Sequence, residues 1–123
     1  MDELERAIDV FQLHDLENKR PNELSGGERQ RISVNRAAMG GGGRLLLLDE
    51  PFAGMDAAVR DRLIASLRTW LRGAPVVSVT HDVGEAFLLD AEVVRIDRGR
   101  VVAQGPAEAV LTEDRDRLRV WLG

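Results

Sequence analysis

Four consecutive leucines, Leu45–Leu48, are followed at once by two acids, Asp49 and Glu50. An apolar run of strand length without polar alternation is typical of a parallel strand that is covered on both faces. A second short run, residues 76–80, is rich in β-branched residues and predicts another buried strand. Because open α/β sheets bind ligands beyond the carboxyl ends of their strands, Asp49 and Glu50 are expected at a binding edge. The chain is therefore predicted to be α/β, with parallel strands flanked by helices.

Apolar periodicity and turn residues divide the rest of the chain into further elements. Helices are predicted at 2–13, 26–39, 57–72, 83–90, 107–111 and 114–122, and hairpin strands at 92–97 and 100–104. Arg98-Gly99 supplies the turn of that hairpin.

The tripeptide Ser25-Gly26-Gly27 stands at the predicted start of the second helix. Ser25 is a favourable N-cap, and glycines without a Cβ let another molecule approach the backbone closely. The free N–H groups and the positive end of the helix dipole together attract anions. Taken alone, however, such a tripeptide is usually only a turn before a helix.

Two motifs taken together give the tripeptide more weight. Leu24–Glu28 resembles the signature motif of ABC transporter ATP-binding domains, and Leu45–Glu50 resembles their Walker B strand. The resemblance continues through Pro51–Asp56, which matches the D-loop, and through Thr80–Asp82, which matches the switch-loop histidine segment. It implies a partial P-loop NTPase core, RecA-like, that ends in a β-hairpin and lacks the N-terminal Walker A portion. Residues 1–39 would then belong to the helical subdomain, and residues 40–123 to the ATPase core.

The resemblance also implies a role for each matching residue. Those that would serve ATP held by an opposite subunit are Leu24, Ser25, Gly26, Gly27, Glu28 and Asp56. Asp49 would help to hold Mg²⁺, and Glu50 would act as the general base for the attacking water. His81 would contact the γ-phosphate.

A phosphate-binding loop is missing from the pattern. Such a loop reads G-x-x-x-x-G-K-[ST], with the lysine on the phosphates. The glycines Gly40–Gly43 are followed by Arg44, and the only lysine, Lys19, has no preceding glycine. Gly40–Gly43 therefore predicts a flexible connection, and the chain alone is expected neither to bind ATP tightly nor to hydrolyse it. A sheet without its other strands is expected to expose apolar faces, which predicts marginal stability or self-association.

The resemblance implies the ATPase component of an importer. Arg29-Gln30-Arg31 follows the signature as it does in transporters, and Thr80–Ala86 and Gly99–Val102 look most like anion importers, with molybdate the first choice. The implied partners are a second nucleotide-binding domain and a transmembrane permease, at the cytoplasmic face of the cell membrane. Two alternatives stay open: a non-catalytic, signature-bearing partner that completes another subunit's ATP site, and an inert truncated product. An in-frame phosphate loop encoded upstream would favour the ATPase.

Composition argues against several other classes of protein. The chain has no cysteine, so neither a disulfide framework nor a thiolate metal site can form. Its net charge is −4 with the signs mixed along the sequence, which argues against a general nucleic-acid binder. No apolar run approaches the roughly 20 residues that a membrane-spanning helix needs, and no signal-peptide pattern is visible.

Overall fold

The computed structural model describes the backbone of residues 2–40 and 44–122, and the side chains of residues 2–40 and 44–114. Its elements in chain order are α1 Glu3–Val10, α2 Gly26–Met39, β1 Leu46–Asp49, α3 Ala57–Trp70, β2 Val76–Val79, α4 Val83–Leu88, β3 Glu92–Asp97, β4 Arg100–Pro106 and α5 Ala107–Leu122. A short 3₁₀ turn, Pro21–Glu23, precedes α2. The chain divides into two compact units, Met1–Thr80 and His81–Gly123. Most of the predicted connection Gly40–Gly43 lies outside the described residues.

The first unit contains a parallel β–α–β arrangement. β1 and β2 pair in parallel, with Leu46 opposite Val76 and Asp49 opposite Val79, and α3 forms the crossover between them. The prediction of an α/β chain with parallel strands is therefore confirmed. The predicted start and end of α2 agree with its observed bounds, since Ser25 caps it and glycines follow it.

One face of this sheet, α3 and the segments before α2 supply the core of the first unit. Its buried apolar residues are Ala7, Phe11, Leu13, Leu16, Val34, Ala38, Leu46, Leu48, Phe52, Leu63, Ile64 and Leu67. The end of α1 is anchored on α3, because the ring of Phe11 lies 5.7 Å from that of Trp70. The Ser66 hydroxyl also donates to the Val10 carbonyl at 2.8 Å. Trp70 is thus a packed aromatic at a helix end, as its sequence position indicated.

The prediction that both strands are covered on both faces is wrong for the described residues. Leu46 and Leu48 are buried, whereas Leu47 between them is 68% exposed. Val77 lies opposite Leu47 in the register and is 52% exposed. The reason is that α2 contacts β1 on the buried side, and no described element covers the other. The expectation that the sheet exposes an apolar face is confirmed.

The second unit contains α4, the antiparallel hairpin β3–β4, and α5. Arg98 and Gly99 both have positive φ, 48° and 75°, which is the signature of the two-residue type I′ turn that suits a twisted hairpin. The predicted hairpin is therefore confirmed. A small core of Ala86, Ala107 and Leu111 joins α4 to α5, and Val93 of β3 packs against it.

The prediction of two helices after the hairpin is wrong, because α5 runs without a break from Ala107 to Leu122. No glycine or proline occurs in that range, so nothing in the backbone ends the helix at residue 111. The Thr112 hydroxyl donates to the Glu108 carbonyl one turn earlier, which is compatible with a continuing helix. The apolar side chains predicted for its last turns, Leu118, Trp121 and Leu122, lie outside the described side chains.

Candidate functional site

The start of α2 is a capping box. The Ser25 hydroxyl accepts a hydrogen bond from the Glu28 N–H at 3.1 Å, and the Glu28 carboxylate accepts one from the Ser25 N–H at 3.0 Å. The Lys19 ammonium lies 3.1 Å from the same carboxylate. The Ser25 N–H first, and then Lys19, hold the pKa of the Glu28 carboxyl below its usual range. Glu28 therefore stays ionised and engaged with the backbone, so its place in the structure is that of a cap.

Gly26 and Gly27 differ in what surrounds them. A Cβ placed on Gly26 would meet no atom within 4 Å, whereas one on Gly27 would lie 3.5 Å from the Gly54 carbonyl oxygen. Ser25 and Gly26 are exposed, and Leu24 before them is half-buried at the end of the 3₁₀ turn. The helix start therefore presents its backbone to the outside at Gly26 and approaches a neighbouring turn at Gly27.

That neighbouring turn and the helix start enclose an open cleft of about 320 Å³. It is lined by Ser25, Gly27, Glu28, Arg31, Gly54, Met55, Asp56 and Val59. The Asp56 carboxylate accepts from the Val59 N–H at 3.0 Å and caps α3. Two residues that are distant in sequence, Ser25 and Asp56, are thus brought to one cleft between two helix N-termini. Both helix starts direct positive dipole ends toward the cleft, whose walls also carry the carboxylates of Glu28 and Asp56 and the guanidinium of Arg31.

Glu50 follows β1 in an unusual backbone conformation. Its φ is +45°, in the left-handed region, although it precedes Pro51, and a following proline favours extended backbone. Its N–H donates to the Val79 carbonyl at 2.8 Å, and its own carbonyl accepts from the Ala53 N–H at 3.2 Å. The side-chain amide of Gln30 donates to the same carbonyl at 3.1 Å. Non-glycine residues in this region cost of order 1–3 kcal/mol and persist where their surroundings hold them, often at functional sites.

Comparison with known proteins gives these features a family context. The family described as ABC transporter matches residues 1–53. The chain is 39% identical over 112 residues to a molybdenum import ATP-binding protein of Mesorhizobium japonicum. It is 42% identical over 113 residues to a sulfate/thiosulfate import ATP-binding protein of Neisseria meningitidis. Over most of its length the chain is similar to the ATP-binding subunits of ABC importers. These alignments cover 89% and 87% of the chain, which spans 30% of the length of each relative.

The fold comparison agrees with this similarity. The structure of a bacterial Atm1-family ABC exporter with ATP bound superimposes on this chain with a TM-score of 0.71 at 21% identity. The superposition covers 97% of this chain and 22% of the exporter chain. The ABC-type α/β fold is therefore shared, although the sequences have diverged widely.

Asp49 is the last residue of β1 and is exposed, and its assignment to the Walker B position stays a prediction. Among residues 2–40 and 44–114, no group of three or more His, Cys, Asp or Glu side chains could hold a metal ion. No helix within the described ranges is long and apolar enough to cross a membrane.

His81 begins the second unit and is exposed at the N-terminal side of α4. The next residue, Asp82, caps α4 by accepting from the Gly84 N–H at 2.8 Å. The first unit holds Asp49 and Glu50, so the meeting of His81 with Glu50 stays a prediction.

The other histidine, His14, has a local structural role. Its ring nitrogens lie 2.6 Å from the Asp9 carboxylate and 3.0 Å from the Glu17 carboxylate, beyond the end of α1. The hydrogen bond to Asp9 is the main reason that the pKa of His14 is raised. His14 is therefore an exposed residue that pairs with carboxylates near the end of α1.

The sequence analysis did not identify Gln30 and Arg31 as residues of the candidate site. Gln30 contacts the Glu50 carbonyl, and Arg31 lines the cleft while its guanidinium lies 3.3 Å from Asp15. A signal for Gln30 was available, because Val34 and Ala38 follow it at four-residue spacing and are buried. A polar residue on the inward face of a helix needs a partner, and here the partner is backbone.

Two glycines of the cleft provide a matched test of what their positions require. Gly26 lies in a helix with negative φ, and Gly54 lies in a turn with φ of +77°; neither has an atom within 4 Å of an added Cβ. We expect Gly26→Ala to stabilise the first unit by about 0.4–1 kcal/mol, because alanine restricts the unfolded chain without strain. Gly54→Ala should destabilise it by at least that much, because alanine disfavours positive φ. Urea denaturation of both variants checks this; a destabilised Gly26→Ala protein would contradict it.

Proposed function

We propose that this chain serves in the ATP-binding component of an ABC importer, at ATP held between two nucleotide-binding domains. The observation that carries the proposal is the open start of α2, where Ser25 and Gly26 are exposed beside a cleft shared with Asp56. A helix N-terminus with uncovered backbone suits phosphate oxygens, and none of the described residues occupies the space beside Gly26. Ser25, Gly26 and Gly27 would meet the γ-phosphate of ATP bound by the opposite subunit.

The neighbouring residues of the signature support that contact indirectly. Glu28 would keep the helix start in place through the capping box, and Leu24 would hold the preceding turn. Asp56 would cap α3 on the opposite wall of the cleft. In this arrangement Glu28 does not touch the phosphates, since its carboxylate is already engaged by Ser25 and Lys19.

Glu50 and His81 would act on ATP held by the chain's own assembly. Glu50 would accept a proton from the attacking water, a task suited to a carboxylate at a strand end. His81 would contact the γ-phosphate and orient that water. The single exposed carboxylate of Asp49 fits Mg²⁺, because this ion usually takes one or two protein carboxylates and completes its shell with phosphates and water. When bound, the ion would neutralise charge on the phosphates.

The wider assembly follows from the family. Residues 1–39 would form part of the helical subdomain, and residues 40–123 would form part of a P-loop NTPase core. The partners would be a second nucleotide-binding domain and a membrane permease, at the cytoplasmic face of the membrane. Because relatives are named for molybdenum and for sulfate/thiosulfate import, we propose an oxyanion of this kind as the transported substrate.

The 123-residue chain is proposed not to turn over ATP by itself. The sequence contains no glycine-lysine pair, so no lysine can occupy a phosphate loop within it. Its one lysine, Lys19, is paired with Glu28 at 3.1 Å. The grip on ATP would then come from a subunit that carries a phosphate loop, and this chain would complete that site.

Complementation of a second nucleotide-binding domain tests the proposal. The second domain would keep its phosphate loop but carry an inactivating change in its own signature serine, so that it cannot complete a site for itself. We expect no ATP turnover from either protein alone and measurable turnover from the mixture. Turnover by this chain alone would contradict its proposed inactivity, and no turnover by the mixture would contradict the proposed function.

Matched variants locate the effect at the helix start. Gly26→Asp places a carboxylate where the phosphate would approach, without a clash inside the chain. It should lower turnover of the mixture by about a hundredfold, which is comparable to the effect of removing one hydrogen-bond donor from an oxyanion site. Ala65→Asp adds the same group at an exposed position of α3 and should leave turnover unchanged. Equal effects of the two variants would show that the signature is not the site.

A further inference from the structure

Gln30 of α2 is hydrogen-bonded to Glu50, the residue that follows β1. It lies in the second turn of α2 and is half-buried. Its amide nitrogen donates to the Glu50 carbonyl at 3.1 Å, across 20 residues of sequence. The buried Val34 and Ala38 continue the same helix face, so Gln30 is held toward the interior by the packing of its own helix.

The peptide that Gln30 holds is a strained one. Glu50 has φ of +45° and is followed by proline, so its conformation needs support from outside the residue. The Val79 carbonyl binds its N–H, and the Ala53 N–H binds its carbonyl. The Gln30 amide supplies a second donor to that carbonyl, whose two lone pairs are then both used.

We propose that Gln30 is a positioning residue for Glu50. By holding the Glu50 carbonyl it fixes the left-handed backbone, and thereby the direction in which the Glu50 carboxylate leaves the strand. The role of that carboxylate as general base rests on the proposed function. The hydrogen bond from Gln30 to the Glu50 carbonyl does not depend on that function.

The first two turns of α2 therefore differ in what they face. Its first turn presents Ser25 and Gly26 to the exterior, and its second turn carries the amide bonded to Glu50. Gln30 therefore links the half-site that serves an opposite subunit to the half-site that contains Glu50.

Nuclear magnetic resonance of the chain tests the hold on the backbone. Gln30→Met keeps the side-chain length but removes the donor, whereas Gln30→Lys keeps a donor of similar reach. In Gln30→Met we expect the Glu50 carbonyl carbon resonance to shift and the Glu50 and Ala53 amides to exchange about tenfold faster, as for one lost hydrogen bond. Gln30→Lys should restore both values to within about twofold of the original.

A control variant separates positioning from general stability. Arg29→Met removes an exposed polar side chain from the preceding position of α2 and should change neither signal. A purely structural role of Gln30 would accelerate exchange equally at the buried Ile64 and Leu67 of α3. Equal acceleration there, or an unchanged Glu50 carbonyl resonance in Gln30→Met, would overturn the proposal.

Turnover of an assembly in which a separate phosphate-loop portion of a relative is combined with this chain, so that Glu50 faces ATP of its own half-site, then separates the inference from the function on which it rests. Where Glu50 belongs to an active site, Gln30→Met should lower kcat about tenfold and leave KM unchanged, because only the placement of the base is affected. If Glu50→Gln abolishes turnover and Gln30→Met does not lower kcat, the positioning role is refuted while the function stands. If Glu50→Gln leaves turnover unchanged, the proposed role of Glu50 fails, and the resonance data alone decide whether Gln30 holds its backbone.

Discussion

Replacing Ile64 with alanine is expected to lower the free energy of unfolding of the first unit by about 2–5 kcal/mol. Ile64 is 1% exposed on α3, so truncation removes burial and leaves a cavity. A small domain has only about 5–15 kcal/mol in total. The variant should therefore lose most of its cooperative unfolding transition in urea. Circular dichroism of the helices measures that transition.

Ile96→Ala is the matched control for that experiment. It removes the same atoms, but Ile96 lies on β3 and is 66% exposed. The expected cost is below about 1 kcal/mol, within the range of strand propensity alone. Similar losses in the two variants would mean that α3 does not organise the core as described.

Self-association is the second large effect expected. One face of the β1–β2 sheet exposes Leu45, Leu47, Val77 and Val79, each by more than half. Contiguous apolar surface of this kind is a site of association. The purified chain should therefore sediment as a dimer or larger species rather than at its monomer mass of 13.6 kDa.

Charge on this face should reverse the association. Leu47→Lys combined with Val77→Lys places two cations opposite each other in the sheet, and the sedimenting mass should fall toward that of the monomer. Ala58→Lys combined with Ala65→Lys adds the same charges at exposed positions of α3 and should leave the mass unchanged. A parent chain that sediments as a monodisperse monomer of 13.6 kDa would contradict the prediction.

Local signals were enough to predict where elements lie. Ser25 was predicted as a cap from its residue type and position, and it accepts from an N–H three residues later. The hairpin turn at Arg98-Gly99 was predicted for the same kind of reason, since its conformation is decided within a few residues. Features of this kind depend on neighbours along the chain, which a sequence displays directly.

What surrounds an element could not be predicted in the same way. Leu46 and Leu47 are identical in type, yet one is buried and the other exposed, because burial depends on which elements cover each face. The left-handed conformation of Glu50 was equally hidden, since it depends on Val79, Ala53 and Gln30. For the candidate site, residue types indicated Ser25, Gly26, Asp49 and Glu50, but not the cleft that joins Ser25 to Asp56.

The empty space beside Gly26 has a consequence for protein engineering. Standard stabilisation replaces helical glycines that have room for a side chain, and Gly26 meets that criterion because no atom lies within 4 Å of an added Cβ. A selection for thermal tolerance alone would therefore favour alanine there. Natural selection that retains glycine at such a position would be accepting lower stability in exchange for access to the backbone. A screen for stability and a screen for the proposed phosphate contact should therefore select different residues at Gly26.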